Sequence, residues 1–178
     1  GGRVQFGNAI FSKYPITSSS TVFYDMPYVK LHVDKTHGDH SFMPRNLQHG
    51  QIDINGTILH LFNTQGIWGF DGDDNQRRIK MAKTIVREVS DLSHTVLMGD
   101  FNVQERTKTA GIIEQALYPV FKDENRTTSF NLKRQTKSGY KTAVVDMMFT
   151  SQDVSVVEHH VSDADVSDHL ALVTTIEL

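Results

Sequence analysis

The chain has 178 residues, of which 38% are hydrophobic and 22% charged, with no cysteine and a net charge of -3 at pH 7. This length and composition fit one globular domain spanning residues 1–178 and argue against a disordered chain. The lack of cysteine excludes disulfides, thiolate metal sites and cysteine catalysis. It is compatible with a reducing compartment, so the cytoplasm is the expected location. No apolar run approaches the roughly 20 residues that span a bilayer.

Short apolar runs alternate with one or two helical patterns along the chain, which predicts an α/β or α+β domain. In the N-terminal part, we expect a short strand over residues 8–12 that ends at Tyr14-Pro15, and one or two strands over 21–31. Residues 34–46 are predicted to form a polar loop. The Asn55-Gly56 pair between two apolar runs predicts a hairpin, because both residues tolerate the positive φ of a type I′ turn.

In the following segment, Ile79, Ala82, Val86 and Val89 recur at helical spacing, which predicts an amphipathic helix over residues 76–90. Either Asp73 or Asp74 is expected to cap that helix. The remaining predicted elements are a buried strand at 95–98, a helix at 109–117, and strands at 143–150, 154–157 and 170–176.

Polar side chains follow or interrupt three of the predicted strands. Asp100 and Asn102 come directly after the strand at 95–98, so an extended segment would place a carboxylate and an amide on one side, two residues apart. The carboxylate can accept a proton from water, and the amide can donate to an oxygen that develops charge. Gly-Asp-x-Asn is also a common turn sequence, so a purely structural turn is an equal alternative.

Asp146 stands inside the apolar run Val144-Val145-Asp146-Met147-Met148, where a lone charge is costly unless it is paired. A histidine is a natural partner, since the carboxylate then fixes the tautomer of the imidazole. Asp168 and His169 are adjacent just before the last predicted strand and can serve as a metal ligand and a proton-transfer group. Their alternatives are an edge position for Asp146 and a surface turn for the other two.

In this order, the three signals resemble the endonuclease/exonuclease/phosphatase (DNase I-like) family. Residues 7–16, GNAIFSKYPI, are similar to a "GNAILS..PI" strand of that family, and residues 61–65, LFNTQ, to its "NTH" strand end. The resemblance runs from about Gly7 to the C-terminus. Each motif is weak alone, and it is the ordered set that is specific.

The resemblance implies a fold and a reaction. The fold is α/β, with two packed mixed β-sheets flanked by helices in a four-layer sandwich, and the first strands and helix of the usual domain are expected to be absent. The reaction is hydrolysis of a phosphoester by activated water, with Mg²⁺ or Mn²⁺ as cofactor. The substrate stays open between DNA, RNA, a phospholipid and a small phosphoester, and a monomer is expected.

The resemblance also implies roles for individual residues. His169 looks like the catalytic histidine and Asp146 like its hydrogen-bonding partner, while Asp100 resembles the residue that orients or deprotonates water. Asn102 looks like the amide that steadies the phosphate. Asp168 resembles a carboxylate near the metal. The implied substrate-binding residues are Asn63, Gln65 and Arg45.

Two departures from the family pattern qualify this interpretation. Only Gly1 to Phe6 precede the "GNAI" strand and they contain no acid, so the metal-binding Glu that the family carries upstream has no counterpart here. In addition, Gln65 stands where many relatives have His, and Gln cannot shuttle a proton. An N-terminally truncated chain is therefore expected. The alternative to the enzyme is a non-catalytic fragment or binding module on the same fold.

Three further features carry weaker hypotheses. Lys133, Arg134, Lys137 and Lys141 form a stretch without acids that could contact phosphates, although an ordinary exposed hairpin is slightly favoured. Nucleic acid would need such a local patch, because proteins that hold it by overall charge are usually basic. Trp68 and Phe70 could stack on a base or a lipid group, or cap the core. The histidines around the 34–46 loop are interpreted as solvated rather than as a second metal site.

Overall fold

A computed structural model describes residues 7–28, 40–122, 124–135 and 142–178. Within them, six strands form one mixed sheet in the order β1-β2-β3-β4-β6-β5, and two further strands pair as an antiparallel sheet, β7-β8. The strands are β1 (Ile16–Phe23), β2 (Asn46–Ile54), β3 (Thr57–Gln65), β4 (Thr95–Asp100), β5 (Tyr118–Pro119), β6 (Asp146–Thr150), β7 (Ser155–Val161) and β8 (Leu172–Glu177). The helices are α1 (Gln76–Val89) and α2 (Lys108–Glu114).

The predicted hairpin is confirmed, and its strands are longer than expected. Strands β2 and β3 pair antiparallel over their full lengths, from Ile54 opposite Thr57 to Asn46 opposite Gln65. Asn55 and Gly56 have φ values of 54° and 95°, as the primed turn requires. The carboxylate of Asp53 accepts a hydrogen bond from the Gly56 amide at 2.7 Å, which further fixes the turn.

Helix α1 connects the parallel strands β3 and β4, as parallel pairing requires a crossover. The helix is confirmed, but its predicted cap is wrong: the Asn75 side chain, not Asp73 or Asp74, accepts the hydrogen bond from the Arg78 amide. Asp74 instead accepts hydrogen bonds from the amides of Lys108 and Thr109, both at 2.8 Å, at the start of α2. A carboxylate is favourable there because the first-turn amides have no helical partner.

The main core lies between α1 and one face of the large sheet. It includes Leu47, Phe62 and Leu97 from three neighbouring strands and Met81 and Ile85 from the helix. On the opposite face, a second apolar cluster joins Ile52, Leu59, Val96 and Met148 to residues of β7 and β8. The predicted α/β fold with two packed sheets and flanking helices is thus confirmed. None of the helices in the described ranges is long and apolar enough to cross a membrane.

The predicted strand at 8–12 is wrong, and the strand predicted at 21–31 begins earlier, at Ile16. Residues 7–15 form no strand; side chains anchor them instead, with Asn63 Nδ2 donating to the Ala9 carbonyl at 3.1 Å. The edge of β2 is already paired with β1 from Ile16 onward, so the earlier segment finds no strand partner there. Residues 29–31 lie outside the described ranges.

Three C-terminal strand predictions are confirmed with shifted limits, at Asp146–Thr150, Ser155–Val161 and Leu172–Glu177. The second predicted helix is shorter than expected, ending at Glu114 rather than at residue 117. The two-residue strand β5 was not predicted, because so short a segment carries no periodicity.

Two glycines allow the backbone segments at the ends of β3 and β4 to lie very close to each other. A Cβ on Gly99, which has φ of 141°, would lie 2.0 Å from the carbonyl oxygen of Thr64. A Cβ on Gly66 would lie 2.0 Å from the carbonyl oxygen of Phe101. Only glycine fits both positions, so the chain can bring the ends of these two strands into contact.

A pair of histidines lies on the helix-covered face of the hairpin. His49 Nε2 is 3.0 Å from His60 Nδ1, and the His49 ring stacks on Phe62 with centroids 4.1 Å apart. Burial lowers the pKa of His49, and the neighbouring His60 lowers it further, against the opposing charge of Glu88. Burial and the charge of His94 likewise lower the pKa of His60.

This pair predicts a loss of stability at mildly acidic pH. Histidines in the unfolded chain titrate near pH 6.5, and the folded pair takes up fewer protons, so the pair's contribution to stability falls as pH decreases below about 6.5. Urea unfolding from about pH 7 to about pH 5 should show a smaller loss for His60→Gln than for the unchanged protein. Other titrating groups are common to both proteins and cancel in this difference. Parallel pH profiles would refute the explanation.

Candidate active site

The ends of three neighbouring strands place polar side chains in one row on the sheet. The register pairs Gln65 of β3 with Asp100 of β4, and Asp100 with Asp146 of β6. Residues paired in this way point to the same face. It is the face that packs against β7 and β8, since Val96 and Met148 contribute to that cluster. The fold therefore brings two carboxylates and an amide side by side at one edge of the sheet interface.

Asp146 and His169 form a hydrogen-bonded pair, with Asp146 Oδ2 2.7 Å from His169 Nδ1. The His169 side chain is 28% exposed and that of Asp146 is 15% exposed, so the imidazole reaches solvent while its partner is largely covered. Burial lowers the pKa of His169, but the hydrogen bond and charge of Asp146, with help from Asp100 and Asp168, outweigh it and raise the pKa to about 9. The imidazole is therefore held in one orientation and can carry positive charge.

The segment before β6 holds this pair in place. Phe130 forms an isolated antiparallel bridge with His169, and the two rings lie 4.6 Å apart. The hydroxyl oxygen of Ser129 accepts hydrogen bonds from the amides of Val145 and Asp146, both at 2.9 Å. The Ser129 carbonyl accepts a hydrogen bond from the Leu170 amide at 2.8 Å. Ser129 thus links the backbone of Asp146 to Leu170, the residue that follows His169.

Arg126 contributes a second support. Its Nη1 donates to the carbonyl of Asp146 at 3.1 Å, its other terminal nitrogen pairs with Glu105, and its guanidinium lies 5.3 Å from the centre of the Phe121 ring. Burial lowers the pKa of Arg126, and the charge of Asp146 partly opposes this. The sequence singled out Ser129 only as part of residues 127–130, which resemble a structural loop segment of the family, and it did not single out Arg126, because Arg126 acts through the backbone of Asp146.

Asp100 and Asn102 form a tight turn at the end of β4. Asp100 Oδ1 accepts a hydrogen bond from the Asn102 amide at 2.9 Å, and Asn102 has a φ of 53°. Asn102 Nδ2 donates to the Gly66 carbonyl at 3.1 Å, which joins this turn to the end of β3. Burial and the charge of Asp146 raise the pKa of Asp100 to about 6, against the opposing charge of His169. The turn alternative and the functional one are thus compatible in the same residues.

The predicted substrate-binding residues lie on the other side of Asp100. Arg45, which precedes β2 and is 5% exposed, donates from Nη1 to Oε1 of Gln65. Burial lowers the pKa of Arg45, and the charge of Asp100 opposes that effect. Asn63 lies two residues before Gln65 on the same face, but its amide nitrogen already donates to Ala9. Gln65 therefore ends the row, Arg45 lies beside it, and Asn63 supports the segment at residues 7–15.

Asp168 is the exposed carboxylate next to His169, and its Oδ1 accepts a hydrogen bond from the Ser167 hydroxyl at 3.2 Å. In the described ranges, no three His, Cys, Asp or Glu side chains are grouped so that they could hold a metal ion. Mg²⁺ in phosphate-handling sites usually takes one or two carboxylates, substrate oxygens and several waters. Asp168 fits as one such ligand, whereas a complete protein-made cage is not present in these ranges.

Within the described part of the basic stretch, Lys133 and Arg134 are both exposed, and Arg134 is held by an ion pair. Arg134 donates from Nε to Asp165 Oδ1 at 2.6 Å and from Nη2 to the Asp165 carbonyl at 2.7 Å. Asn131 donates to the same carboxylate at 2.8 Å. Arg134 therefore braces the loop that leads to Asp168. Lys137 and Lys141 lie outside the described residues, so their contribution to phosphate binding stays a prediction.

Comparison with known proteins shows the family and the fold of the chain. The model of a family described as the Endonuclease/Exonuclease/phosphatase family matches residues 1–169. No curated protein sequence gives a significant match. Among solved structures, a mannosyl-6-phosphatase of Bacteroides thetaiotaomicron superposes with a TM-score of 0.66 and 16% identity, over 93% of this chain and 68% of that one.

Two other solved structures show the same fold. An endonuclease/exonuclease/phosphatase from Bacteroides vulgatus has a TM-score of 0.63 and 19% identity, over 93% of this chain and 67% of that one. TDP2 of D. rerio, complexed with a single-stranded DNA product, has a TM-score of 0.64 and 16% identity, over 92% and 68%. The chain thus spans about two thirds of the length of these relatives. Sequence identities below 20% show that the fold is shared and nothing more. With the family model matching nearly the whole sequence, the chain belongs to the endonuclease/exonuclease/phosphatase family.

Proposed function

We propose that this chain carries the centre of a divalent-metal-dependent phosphoester hydrolase. The observation that carries the proposal is the Asp146–His169 pair beside Asp100, at one edge of the sheet. An imidazole oriented by a carboxylate, next to a second carboxylate, supplies the two proton-handling groups that hydrolysis by water requires. The expectations of a monomer and of a cytoplasmic location rest on the sequence and stay predictions.

In this proposal, Asp100 accepts the proton of the attacking water, and His169 donates a hydrogen bond to an oxygen of the phosphoryl group. Asp146 keeps the imidazole ring oriented so that Nε2 faces the substrate. Arg45 and Gln65 hold a phosphoryl oxygen on the far side of Asp100, and Asn102 fixes the turn that aims Asp100. Mg²⁺ or Mn²⁺, when bound with Asp168 as a ligand, supplies positive charge that neutralises the phosphoryl oxygens.

The proposed substrates follow the named relatives only as classes. One structural neighbour is a mannosyl-6-phosphatase, and another carries a single-stranded DNA product. A mannosyl 6-phosphate and a DNA strand both contain a phosphoester, so either a small phosphoester or a nucleic acid is a candidate substrate for this site. The net charge of -3 favours the small substrate, because a polyanion needs several free cations to bind.

The test is hydrolysis of p-nitrophenyl phosphate, a monoester, and of bis(p-nitrophenyl) phosphate, a diester, each with Mg²⁺, with Mn²⁺ and with a chelator. We expect turnover with either metal and none with the chelator. Asp168→Asn should weaken the apparent metal affinity by at least about tenfold, because it removes a charged oxygen ligand. Asp163→Asn serves as the matched control, since Asp163 is an exposed carboxylate on the same loop.

One observation favours the alternative of a non-catalytic binding module: the described residues contain no three-ligand metal group. If that alternative holds, no phosphoester is hydrolysed with any metal, and Asp168→Asn has no effect beyond that of Asp163→Asn. Turnover that is equal with and without chelator would instead contradict the metal dependence and leave the hydrolase.

A further inference from the structure

Near the candidate site, Trp68 forms a group with His40 and Phe70, and Phe42 follows His40 two positions later in the chain; these four residues are here called the aromatic ledge. Trp68 contacts His40 and Phe70 edge to face, with ring centroids 5.5 and 4.9 Å apart. Phe42 is 69% exposed and Phe70 is 75% exposed, so both leave large apolar faces in solvent. Aromatic side chains grouped in this way at the surface are typical of a ligand or partner site rather than of a core.

Both chain segments that carry the aromatic ledge lie close in the chain to Arg45 and Gln65, the proposed phosphate-binding pair. Phe42 lies three residues before Arg45, and Trp68 lies three residues after Gln65. Three residues of chain span at most about 10 Å, and Arg45 and Gln65 are hydrogen-bonded to each other. A molecule whose phosphoryl group contacts this pair can therefore lay its remaining part on the ledge.

The loop that carries Trp68 and Phe70 is held by a buried arginine. Arg78, which is fully buried, donates to the carbonyl of Ile67 at 3.0 Å and to the carbonyl of Asp71 at 2.8 Å. A Cβ on Gly69 would lie 2.9 Å from Arg78 Nη2, so the loop passes directly over the guanidinium. The ledge is thus fixed before any ligand arrives, which reduces the entropy cost of binding.

The charge around the aromatic ledge does not suit a polyanion. Asp71 and Asp73 closely follow Phe70, and both are exposed. Asp74 is also exposed, but its carboxylate is already hydrogen-bonded to the start of α2. The two nearby guanidinium groups, of Arg77 and Arg78, form ion pairs with Asp25 and Asp71. A nucleic-acid strand would bring further phosphates towards these carboxylates, and strand binding depends on free cations that neutralise such phosphates. A ligand with hydroxyl groups, in contrast, finds acceptors here, because ionised carboxylates only accept hydrogen bonds.

We infer that the aromatic ledge binds the sugar ring of a sugar phosphate whose phosphoryl group lies at Arg45 and Gln65. The apolar face of the ring packs on Phe70 and Trp68, and its hydroxyl groups donate to the carboxylates that follow. This inference rests on the proposed function, because it names the substrate of the same site. It makes a small phosphomonoester the substrate in preference to a polynucleotide.

The single tryptophan of the chain makes the aromatic ledge directly measurable, since all tryptophan fluorescence comes from Trp68. We expect mannose 6-phosphate, used as the probe, to change this fluorescence saturably, and methyl mannoside to bind at least about tenfold more weakly because it lacks the charged group that Arg45 contacts. Phe70→Ala should weaken binding of mannose 6-phosphate roughly three- to tenfold, the usual value of one aromatic contact. Tyr118→Ala, which removes another exposed aromatic ring from the edge strand β5, should leave it unchanged.

A short single-stranded DNA that binds more tightly than mannose 6-phosphate and is weakened equally by Phe70→Ala would overturn the inference. So would an unchanged Trp68 signal at saturating sugar phosphate. Hydrolysis of p-nitrophenyl phosphate, a monoester, and of bis(p-nitrophenyl) phosphate, a diester, is followed separately and distinguishes this failure from that of the proposed function. Turnover without a ledge signal refutes the sugar-ring inference alone, and a ledge signal without turnover supports sugar-phosphate binding and refutes the hydrolase.

Discussion

His169→Ala is expected to lower the rate of phosphoester hydrolysis by a factor of about 10²–10⁴, the range that a positioned proton-handling group contributes. The side chain is part-exposed, and its Nδ1 is hydrogen-bonded to Asp146, so its loss removes the reactive imidazole with little loss of core packing. The rate would be measured at saturating Mg²⁺ with whichever of p-nitrophenyl phosphate and bis(p-nitrophenyl) phosphate the unchanged protein hydrolyses faster. The urea midpoint of the same variant would show that the fold is retained.

Two further variants make this result specific. Asp146→Asn keeps a hydrogen-bonding group beside the imidazole but removes the negative charge, so it should also lower the rate strongly at unchanged fold. His160→Ala removes an exposed histidine from β7, outside the site, and should have the rate of the unchanged protein. A His169→Ala variant that keeps more than about a tenth of the rate would contradict the assignment of His169.

Arg78→Met is expected to destabilise the fold by about 3–5 kcal/mol, because three backbone carbonyls lose their buried donor and each costs about 1–3 kcal/mol when left unsatisfied. The guanidinium is fully buried and donates to the carbonyls of Ile67, Asp71 and Asp73 as well as to the Asp71 carboxylate. Methionine fills a similar length but leaves these acceptors without their donor. Urea unfolding would measure the change in the free energy of unfolding.

Arg78→Lys separates charge from geometry in the same position. It keeps the cation but lacks the planar fork that reaches three carbonyls at once, so most of the loss should remain. Lys80→Met removes an exposed cation from the same helix and should change stability by less than about 0.5 kcal/mol. A loss below about 1 kcal/mol for Arg78→Met would show that the loop over it contributes little to the fold.

Much of the fold was readable in the sequence where the signal is local. The Asn-Gly turn fixed the hairpin, and helical spacing fixed α1, because both depend on residues close in the chain. Strand limits were less accurate. Residues 8–12 have the composition of a strand, but a strand needs a partner, and the partner edge is occupied by residues that begin at Ile16. Pairing of that kind is a tertiary choice that composition does not carry.

The residues of the candidate site were likewise predictable only where the sequence signal is local. The sequence singled out Asp100, Asp146 and His169, because polar residues at the ends of apolar runs are visible without a structure, and the structure does bring these three together. Their roles stay predictions. The support that Ser129 and Arg126 give to Asp146 was not predicted, since both contact its backbone from 17 to 20 positions away. The N-cap of α1 was assigned to Asp73 or Asp74 rather than to Asn75, because these three neighbouring residues have similar preferences for the cap position.

The Asp146–His169 pair joins two structural layers, since Asp146 begins β6 of the large sheet and His169 lies on the segment leading into β8 of the small one. The reactive geometry therefore exists only while the two layers are docked, through the apolar cluster that includes Met148, Val156 and Ile176. A substitution deep in that interface can alter turnover without touching any reacting group. Under the proposed function, substitutions in this hydrophobic interior are therefore expected to change the rate, because the relative placement of the two layers is set there.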